Sequence, residues 1–141
     1  MLRRAWENFR AGHAGHLKDA YDAFRFDKRD WLDDYALFTA LKEARKGEPW
    51  QDWPAEFQRR GQTDGVLDFA KTEMADEIQY HQFGQFLFFR QWAALRRFAN
   101  AKGVSLIGDI PIFVAPDPAE VWGNPTVFQH AGALRQTGWS V

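Results

Sequence analysis

The spacing of apolar residues changes at Gly103, and this change constrains the fold more than any other feature. Before it, residues 67–101 carry apolar side chains at helical spacing on more than one face, which predicts a long buried helix that Gly84 divides in two. After it, Val104–Asp109 is short, apolar and ends in Gly-Asp, a pattern typical of a buried strand. A lone strand leaves its backbone N–H and C=O groups without partners. The sequence therefore predicts an α/β fold, with one clear parallel strand in a larger sheet whose other strands lie outside these 141 residues.

The region before that helix is predicted to be helical as well. Apolar spacing predicts a helix through residues 17–24, then a second one with Asp30 as its N-cap and Gly47 as its stop. Pro54 suits the first turn of a further short helix. Beyond Asp109, the apolar run 110–114 is predicted as the frayed exit of the strand, because Pro111 cannot donate a ladder hydrogen bond.

Composition excludes several classes of protein. Lys and Arg number 18 against 19 Asp and Glu, a net charge of −1, which argues against nucleic acid or an anionic membrane as partner. No apolar run approaches the ~18 residues of a membrane-spanning helix, and residues 1–4 carry no apolar signal core. The chain contains no cysteine, which is compatible with the reducing cytoplasm, where we expect it to reside.

Asp109 is the strongest candidate for chemistry. An acid at the carboxyl end of a parallel strand faces the active-site rim, although Asp109 could instead cap the next turn. Asp117 and Glu120 lie three residues apart and could complete a carboxylate cluster for glycosidic chemistry. We favour a helix cap, with Asp117 as N-cap, Pro118 at the first helical position and Glu120 closing a capping box.

Tryptophan supplies a second set of candidates. Trp122 could stack on a sugar ring, though tryptophan more often anchors a core. Trp31 and Trp92 lie within apolar stripes and are predicted to be core residues. Only the loop that carries Trp50 and Trp53 is open to a binding interpretation.

Glu77 and His81 lie four residues apart on one helical face, a spacing compatible with a metal site. The other histidines, at positions 13, 16 and 130, are scattered. We therefore expect a surface or core polar pair at this position, and neither a metal nor an organic cofactor in the chain.

Two motifs resemble those of one enzyme family. GDIPIFVAPD at 108–117, followed by AEVWGNP at 119–125, closely resembles the third-strand motif of the 4-α-glucanotransferases. These are the amylomaltases, or disproportionating enzymes, of glycoside hydrolase family 77. FLFFRQW at 86–92 resembles the helix before that strand, and DWLDDYALF at 30–38 resembles the family's inserted helical region. The resemblance covers most of residues 1–128.

The resemblance implies part of a (β/α)₈ TIM barrel with inserted helices, mostly helical in this segment. The implied activity is the transfer of an α-1,4-glucan segment from a maltooligosaccharide to glucose or another glucan, with retention at the anomeric carbon. Residues 1–141 would then be an incomplete segment of one catalytic domain. Its parts would be an inserted helical region at 1–66, a barrel helix with the third strand and following loop at 67–128, and a tail without clear periodicity at 129–141.

The resemblance also implies specific roles. Asp109 matches a donor-site Asp that supports the bound sugar and does not attack it, and we predict Trp122 and Asn124 as substrate-binding residues. Pro118 stands where a Ser is expected. The family's nucleophile, acid/base and stabilising carboxylates would lie beyond Val141, so we expect the chain alone to be inactive.

A different class of function remains open, namely a non-catalytic helical module that binds glucan or a protein. The length of 141 residues favours such a module, whereas the predicted strand favours the enzyme segment. In either case the long apolar helix predicts exposed apolar surface and self-association.

Overall fold

The computed structural model describes residues 1–58, 64–109, 117–124 and 127. Six α-helices account for most of them, and short 3₁₀ turns precede α2 and α3. The helices are α1 Leu2–Arg10, α2 Lys18–Ala44, α3 Ala55–Gln58, α4 Asp64–Glu73, α5 Ala75–Ala101 and α6 Ala119–Gly123; the turns are Gly15–Leu17 and Trp50–Asp52. Although α2 and α5 would be long enough to cross a bilayer, neither they nor any other helix of these ranges carries the apolar stretch that this requires.

Helix α2 runs without interruption through Asp30, so the predicted N-cap at that position is wrong. The stretch contains neither Gly nor Pro, and Asp30 lies with its side chain exposed to solvent. A hydrated carboxylate at mid-helix does not end a helix that packs well elsewhere. The predicted stop at Gly47 is confirmed, since this residue adopts φ +83° and its N–H donates to the Lys42 carbonyl at 2.9 Å.

The long helical stretch divides at Met74, between α4 and α5, and not at Gly84. Gly84 lies inside α5 at the point where α1 crosses it, and a Cβ atom there would lie 3.3 Å from Leu2 Cδ2. The glycine therefore permits a close approach of two helices. Gly103, with φ +75°, follows the end of α5 as predicted.

Two groups of buried side chains hold the helices together. The first, which we call the tryptophan core, joins α2, the Trp50–Asp52 turn, α4 and α6; its buried members are Leu37, Phe38, Leu41, Trp50, Trp53, Ala70, Ala119, Val121 and Trp122. The second, the aromatic core, joins α1, α2 and α5 through Trp6, Tyr21, Phe83 and Phe86. Helix α2 contributes to both cores and contacts both α5 and α6.

The first half of α5 is buried in these cores, but the second half is not. Every residue from 88 to 98 is exposed, including Phe88, Trp92, Leu95 and Phe98. We call residues 88–98 the exposed half of α5. The predicted buried helix is therefore found only in the first half of α5, whereas the second half carries exposed apolar surface, which the sequence analysis also predicted. Phe89, near the start of the second half, still contacts Phe24 and Trp31 of α2.

The predicted strand is also absent. Val104–Asp109 has no regular secondary structure and is exposed along its whole length, with Ile107 at 95% of its maximal exposure. A strand requires the backbone of a neighbouring strand as hydrogen-bond partner, and the described ranges supply none. The α/β class, the parallel strand and the place in a TIM barrel are thus wrong for this part of the chain, whose regular elements are all helical. The predicted run at 110–114 and the tail at 129–141 lie outside the described residues.

Candidate functional site

Asp109 follows α5 in the exposed stretch 104–109, and its side chain is exposed. Because residues 104–109 form no strand, Asp109 does not lie at the carboxyl end of a parallel strand, as had been predicted. Its assignment as a donor-site residue now rests on the motif alone and stays a prediction.

Asp117 binds to other parts of the chain and not to its own helix. Its Oδ1 accepts the Trp50 backbone N–H at 3.1 Å, and its Oδ2 pairs with the Lys42 ammonium. Pro118 is the N-cap of α6, in extended conformation, and no side-chain cap bond is found there. The predicted capping box is therefore wrong. The carboxylate instead accepts a hydrogen bond from the N–H at the start of the Trp50–Asp52 turn. It therefore connects the start of α6 to α2 and to the turn.

Trp122 is completely buried in the tryptophan core, at 0% exposure. Its Nε1–H donates to the Phe57 carbonyl at 2.7 Å, and its ring centroid lies 5.6 Å from that of Phe38. The geometry is that of a core anchor, one of the two interpretations that the sequence left open. No ring face is open to a sugar in this arrangement, and the substrate-binding role stays a prediction.

Asn124 lies exposed just after α6, at a small cavity of about 50 Å³ between α6 and α2. Trp31, Tyr35 and Glu120 line the same cavity. The structure thus brings Asn124 together with an aromatic ring and a carboxylate that the sequence analysis had considered separately.

The burial of four tryptophans is the reverse of what was predicted. Trp31 and Trp92, expected in the core, are 38% and 41% exposed, whereas Trp50 and Trp53, in the loop thought open to binding, are 9% and 1% exposed. The Trp53 Nε1–H donates to the Glu48 carbonyl at 3.0 Å. The loop folds back onto α2, which the periodicity of a helix cannot indicate.

Glu77 and His81 do lie together, and the structure adds Glu43 from α2, with the ligand atoms of the three within 4.8 Å of one another. His81 Nε2 lies 3.4 Å from a Glu43 oxygen. Both Glu77 oxygens already accept from the Arg3 guanidinium, at 3.0 and 2.6 Å. Burial lowers the pKa of His81, and the two carboxylates oppose this shift. The contacts describe an ion-pair network that joins α1, α2 and α5.

Sequence reasoning missed Glu43 because it lies on a different helix, far from Glu77 in the chain. Its only signal is its position near the end of α2, which reaches this part of α5 solely through tertiary packing.

Comparison with known proteins agrees with the motif resemblance. A family model described as 4-alpha-glucanotransferase, of glycoside hydrolase family 77, matches residues 1–138. The 4-alpha-glucanotransferase of Thermus thermophilus is 46% identical over 127 residues, which cover 90% of this chain. That of a Synechocystis strain is 38% identical over 128 residues, covering 91%. An amylomaltase from Streptococcus agalactiae, solved in complex with acarbose, superimposes with a TM-score of 0.80 at 32% identity over 90% of this chain.

The chain spans about a quarter of the length of each of these relatives, since the match covers 25% of the Thermus, Synechocystis and Streptococcus proteins alike. The family model's span, residues 1–138, contains the motifs around Asp30, Phe86 and Asp109 that carried the resemblance. A family model that matches almost the whole chain shows that the protein belongs to the 4-α-glucanotransferase family, glycoside hydrolase family 77.

Proposed function

We propose that this chain takes part in a retaining 4-α-glucanotransferase reaction, which moves an α-1,4-glucan segment from a maltooligosaccharide to glucose or another glucan. The observation that supports this most is the family match over residues 1–138. The Streptococcus relative was solved with acarbose, and we extend oligosaccharide binding from that protein to this one.

The role proposed for Asp109 is to hold the donor sugar. Its carboxylate is exposed and accessible to a ligand, and a carboxylate accepts hydrogen bonds from sugar hydroxyls. Asn124 is accessible as well, beside the partly exposed ring of Trp31, and we propose that it contacts a neighbouring part of the substrate. Trp122 would act by supporting the segment that carries Asn124.

We propose that the chain alone does not catalyse transfer. Retention by double displacement needs a nucleophile and an acid/base whose carboxyl groups lie ~5–5.5 Å apart. Among the described residues near the motif, the acids are Asp109, Asp117 and Glu120, and Asp117 is already paired with Lys42 and the Trp50 N–H. The direct test is incubation with maltotriose, in which we expect neither glucose nor longer maltodextrins to form. Turnover that Asp109→Asn abolishes would contradict this proposal.

A chimera tests the role of the segment in the reaction. This chain would replace the matched 127 residues of the Thermus thermophilus enzyme, and we expect the chimera to transfer glucan. Asp109→Asn in that chimera should lower kcat strongly while leaving its unfolding unchanged. Asp68→Asn is the matched control, because Asp68 is exposed and pairs with Lys71 within α4; it should leave kcat unchanged. A fully active Asp109→Asn chimera would refute the assigned role.

The alternative is a non-catalytic helical module that binds glucan or a protein. The observation that favours it is the helical character of all regular elements in the described ranges. A folded but inactive chimera, together with maltooligosaccharide binding by the isolated chain, would support the module over the enzyme segment.

We further propose that the chain resides in the cytoplasm and self-associates. Self-association is supported by the large apolar side chains of the exposed half of α5 and by Ile107, because contiguous apolar surface of this kind drives association in water.

A further inference from the structure

Three side chains that can bind a metal ion meet where α2 packs against α5. They are Glu43 of α2 and Glu77 and His81 of α5, and one ligand atom of each lies within 4.8 Å of those of the other two. The sequence analysis favoured a polar pair at this place, because Glu77 and His81 supply only two ligands. Glu43 supplies the third, and three protein ligands with a fourth position left to water form a common type of zinc site.

The Nε2 atom of His81 is the observation that points to an ion. His81 is only 8% exposed, and Nε2 is buried without a hydrogen-bond partner among the described residues, although buried polar atoms are nearly always satisfied. The Glu43 oxygen lies 3.4 Å from Nε2, whereas a charge-assisted N–H···O bond measures about 2.7–2.9 Å. Two ligands of a tetrahedral zinc ion, each about 2.0–2.1 Å from the metal, lie ~3.3–3.4 Å apart. The separation therefore fits two ligands of one ion better than it fits a hydrogen bond.

The contact between Glu77 and Arg3 is compatible with an ion at this place. Both Glu77 oxygens accept from the Arg3 guanidinium, and each carboxylate oxygen keeps a second lone pair for a metal. Carboxylates that bind a metal are commonly oriented by a donor in this way. Burial lowers the pKa of His81, so its imidazole is neutral near pH 7, the form that binds metals. Two carboxylates and a neutral imidazole suit a divalent cation.

We propose that Glu43, Glu77 and His81 bind one Zn²⁺ ion, with water as the fourth ligand. The Glu43 side chain is 57% exposed, so the ion can reach the site from solvent. Imidazole combined with carboxylates suits zinc, whereas Mg²⁺ and Ca²⁺ prefer oxygen ligands alone. The ion links α2 to α5 and, through Arg3, to α1, and it thereby stabilises the folded chain. The inference does not rest on the proposed function, because none of the proposed substrate-binding residues belongs to this site.

The test is calorimetric titration of the whole chain with zinc chloride, after EDTA treatment and dialysis. We expect one saturable Zn²⁺ site per chain and a Tm that rises with the Zn²⁺ concentration, because an ion that binds only the folded state stabilises it. Magnesium chloride, the probe for a hard cation, should give neither result. Absence of saturable Zn²⁺ binding would overturn the proposal, as would Mg²⁺ binding as tight as that of Zn²⁺.

Two variants locate the ion. Glu43→Gln removes the charge of an exposed ligand, and His81→Gln removes the imidazole. Each should weaken Zn²⁺ binding at least about tenfold, since the loss of a group that merely orients a ligand already costs about 10–100-fold, and each should remove the rise in Tm. Glu48→Gln and His16→Gln are the matched controls, because both residues are exposed and lie outside the three-ligand group. Both controls should bind Zn²⁺ like the unaltered chain.

Unchanged Zn²⁺ affinity in the Glu43→Gln variant would refute the site, because the ion would then bind elsewhere on the chain. This variant decides the question alone if His81→Gln fails to fold, since Glu43 is exposed and belongs to neither core. X-ray absorption at the zinc edge provides a second measurement. We expect one imidazole nitrogen with oxygen ligands, and a spectrum that shows two or more imidazoles would also refute the site.

Discussion

The tryptophan core and the exposed half of α5 are both rich in aromatic side chains, yet they differ completely in burial. In the core, the Phe38 ring packs against both Trp53 and Trp122. The indole N–H of each tryptophan donates a hydrogen bond to a backbone carbonyl. In the exposed half of α5, Phe98 and Trp92 are 65% and 41% exposed. The comparison teaches that aromatic content sets how much surface can be buried, whereas neighbouring elements decide which surface is buried.

The largest effect should come from truncating the anchor of the core. We expect Trp122→Ala to lower the free energy of unfolding by about 3–5 kcal/mol, because it opens a large cavity and leaves the Phe57 carbonyl unpaired. Trp92→Ala, the matched change in the exposed half of α5, should cost only about 0.5 kcal/mol. Urea denaturation followed by circular dichroism measures both. Equal losses would show that the two regions are equally packed.

The next effect concerns the polar tie between α6 and the rest of the core. Asp117→Ala removes the acceptor of the Trp50 N–H and the partner of Lys42, and should cost about 1–2 kcal/mol. Asp117→Asn keeps an acceptor for the N–H and should cost less. The control is Asp68→Ala, which breaks an exposed pair on α4 and should fall within about 0.5 kcal/mol. A loss of unfolding free energy no larger than that of the control would mean that the contacts of Asp117 do not stabilise the core.

A smaller effect should appear as pH dependence at the junction of α1, α2 and α5. Burial lowers the pKa of His81 in the folded chain, Glu43 and Glu77 oppose this shift, and Arg3 reinforces it. The unfolded chain, whose histidine titrates near 6.5, then binds more protons than the folded chain below that pH. The contribution of His81 to the free energy of unfolding is therefore complete above pH 6.5. It decreases as the pH drops through 6.5 towards the lowered pKa.

His81→Gln should flatten the decrease in unfolding free energy between about pH 7 and pH 5, measured by urea denaturation at each pH. His16→Gln provides the control, because His16 is an exposed residue outside the ion-pair network. A His81→Gln profile parallel to that of the unaltered chain would show that the network does not titrate in this range.

The smallest effect on stability should accompany a clear effect on association. Leu95→Gln combined with Phe98→Gln replaces two exposed apolar side chains by residues that favour helices as well or better. The unfolding free energy should change by no more than about 0.5 kcal/mol, while sedimentation equilibrium should show weaker self-association. An unaltered chain that is monomeric at all concentrations tested would contradict the proposed self-association.

The sequence by itself determined the features that depend on local backbone preference and on the identity of the motifs. Helical spacing predicted most of α2, α4 and α5, and the stops at Gly47 and Gly103 followed from the left-handed conformation that glycine adopts readily. The motif around Asp109 identified the family, because a run of specific residues does not depend on what surrounds it.

Only the tertiary structure decided which side chains are buried and which polar groups pair. Whether Val104–Asp109 forms a strand depends on another strand to bond it, and whether Trp53 or Trp92 is buried depends on which helix covers it. Asp117 with Trp50, His81 with Glu43, and Gln82 beside Arg25 all join residues far apart in the chain. Burial and pairing are properties of neighbours in space, and the period of a sequence reports only the neighbours along one helix or strand.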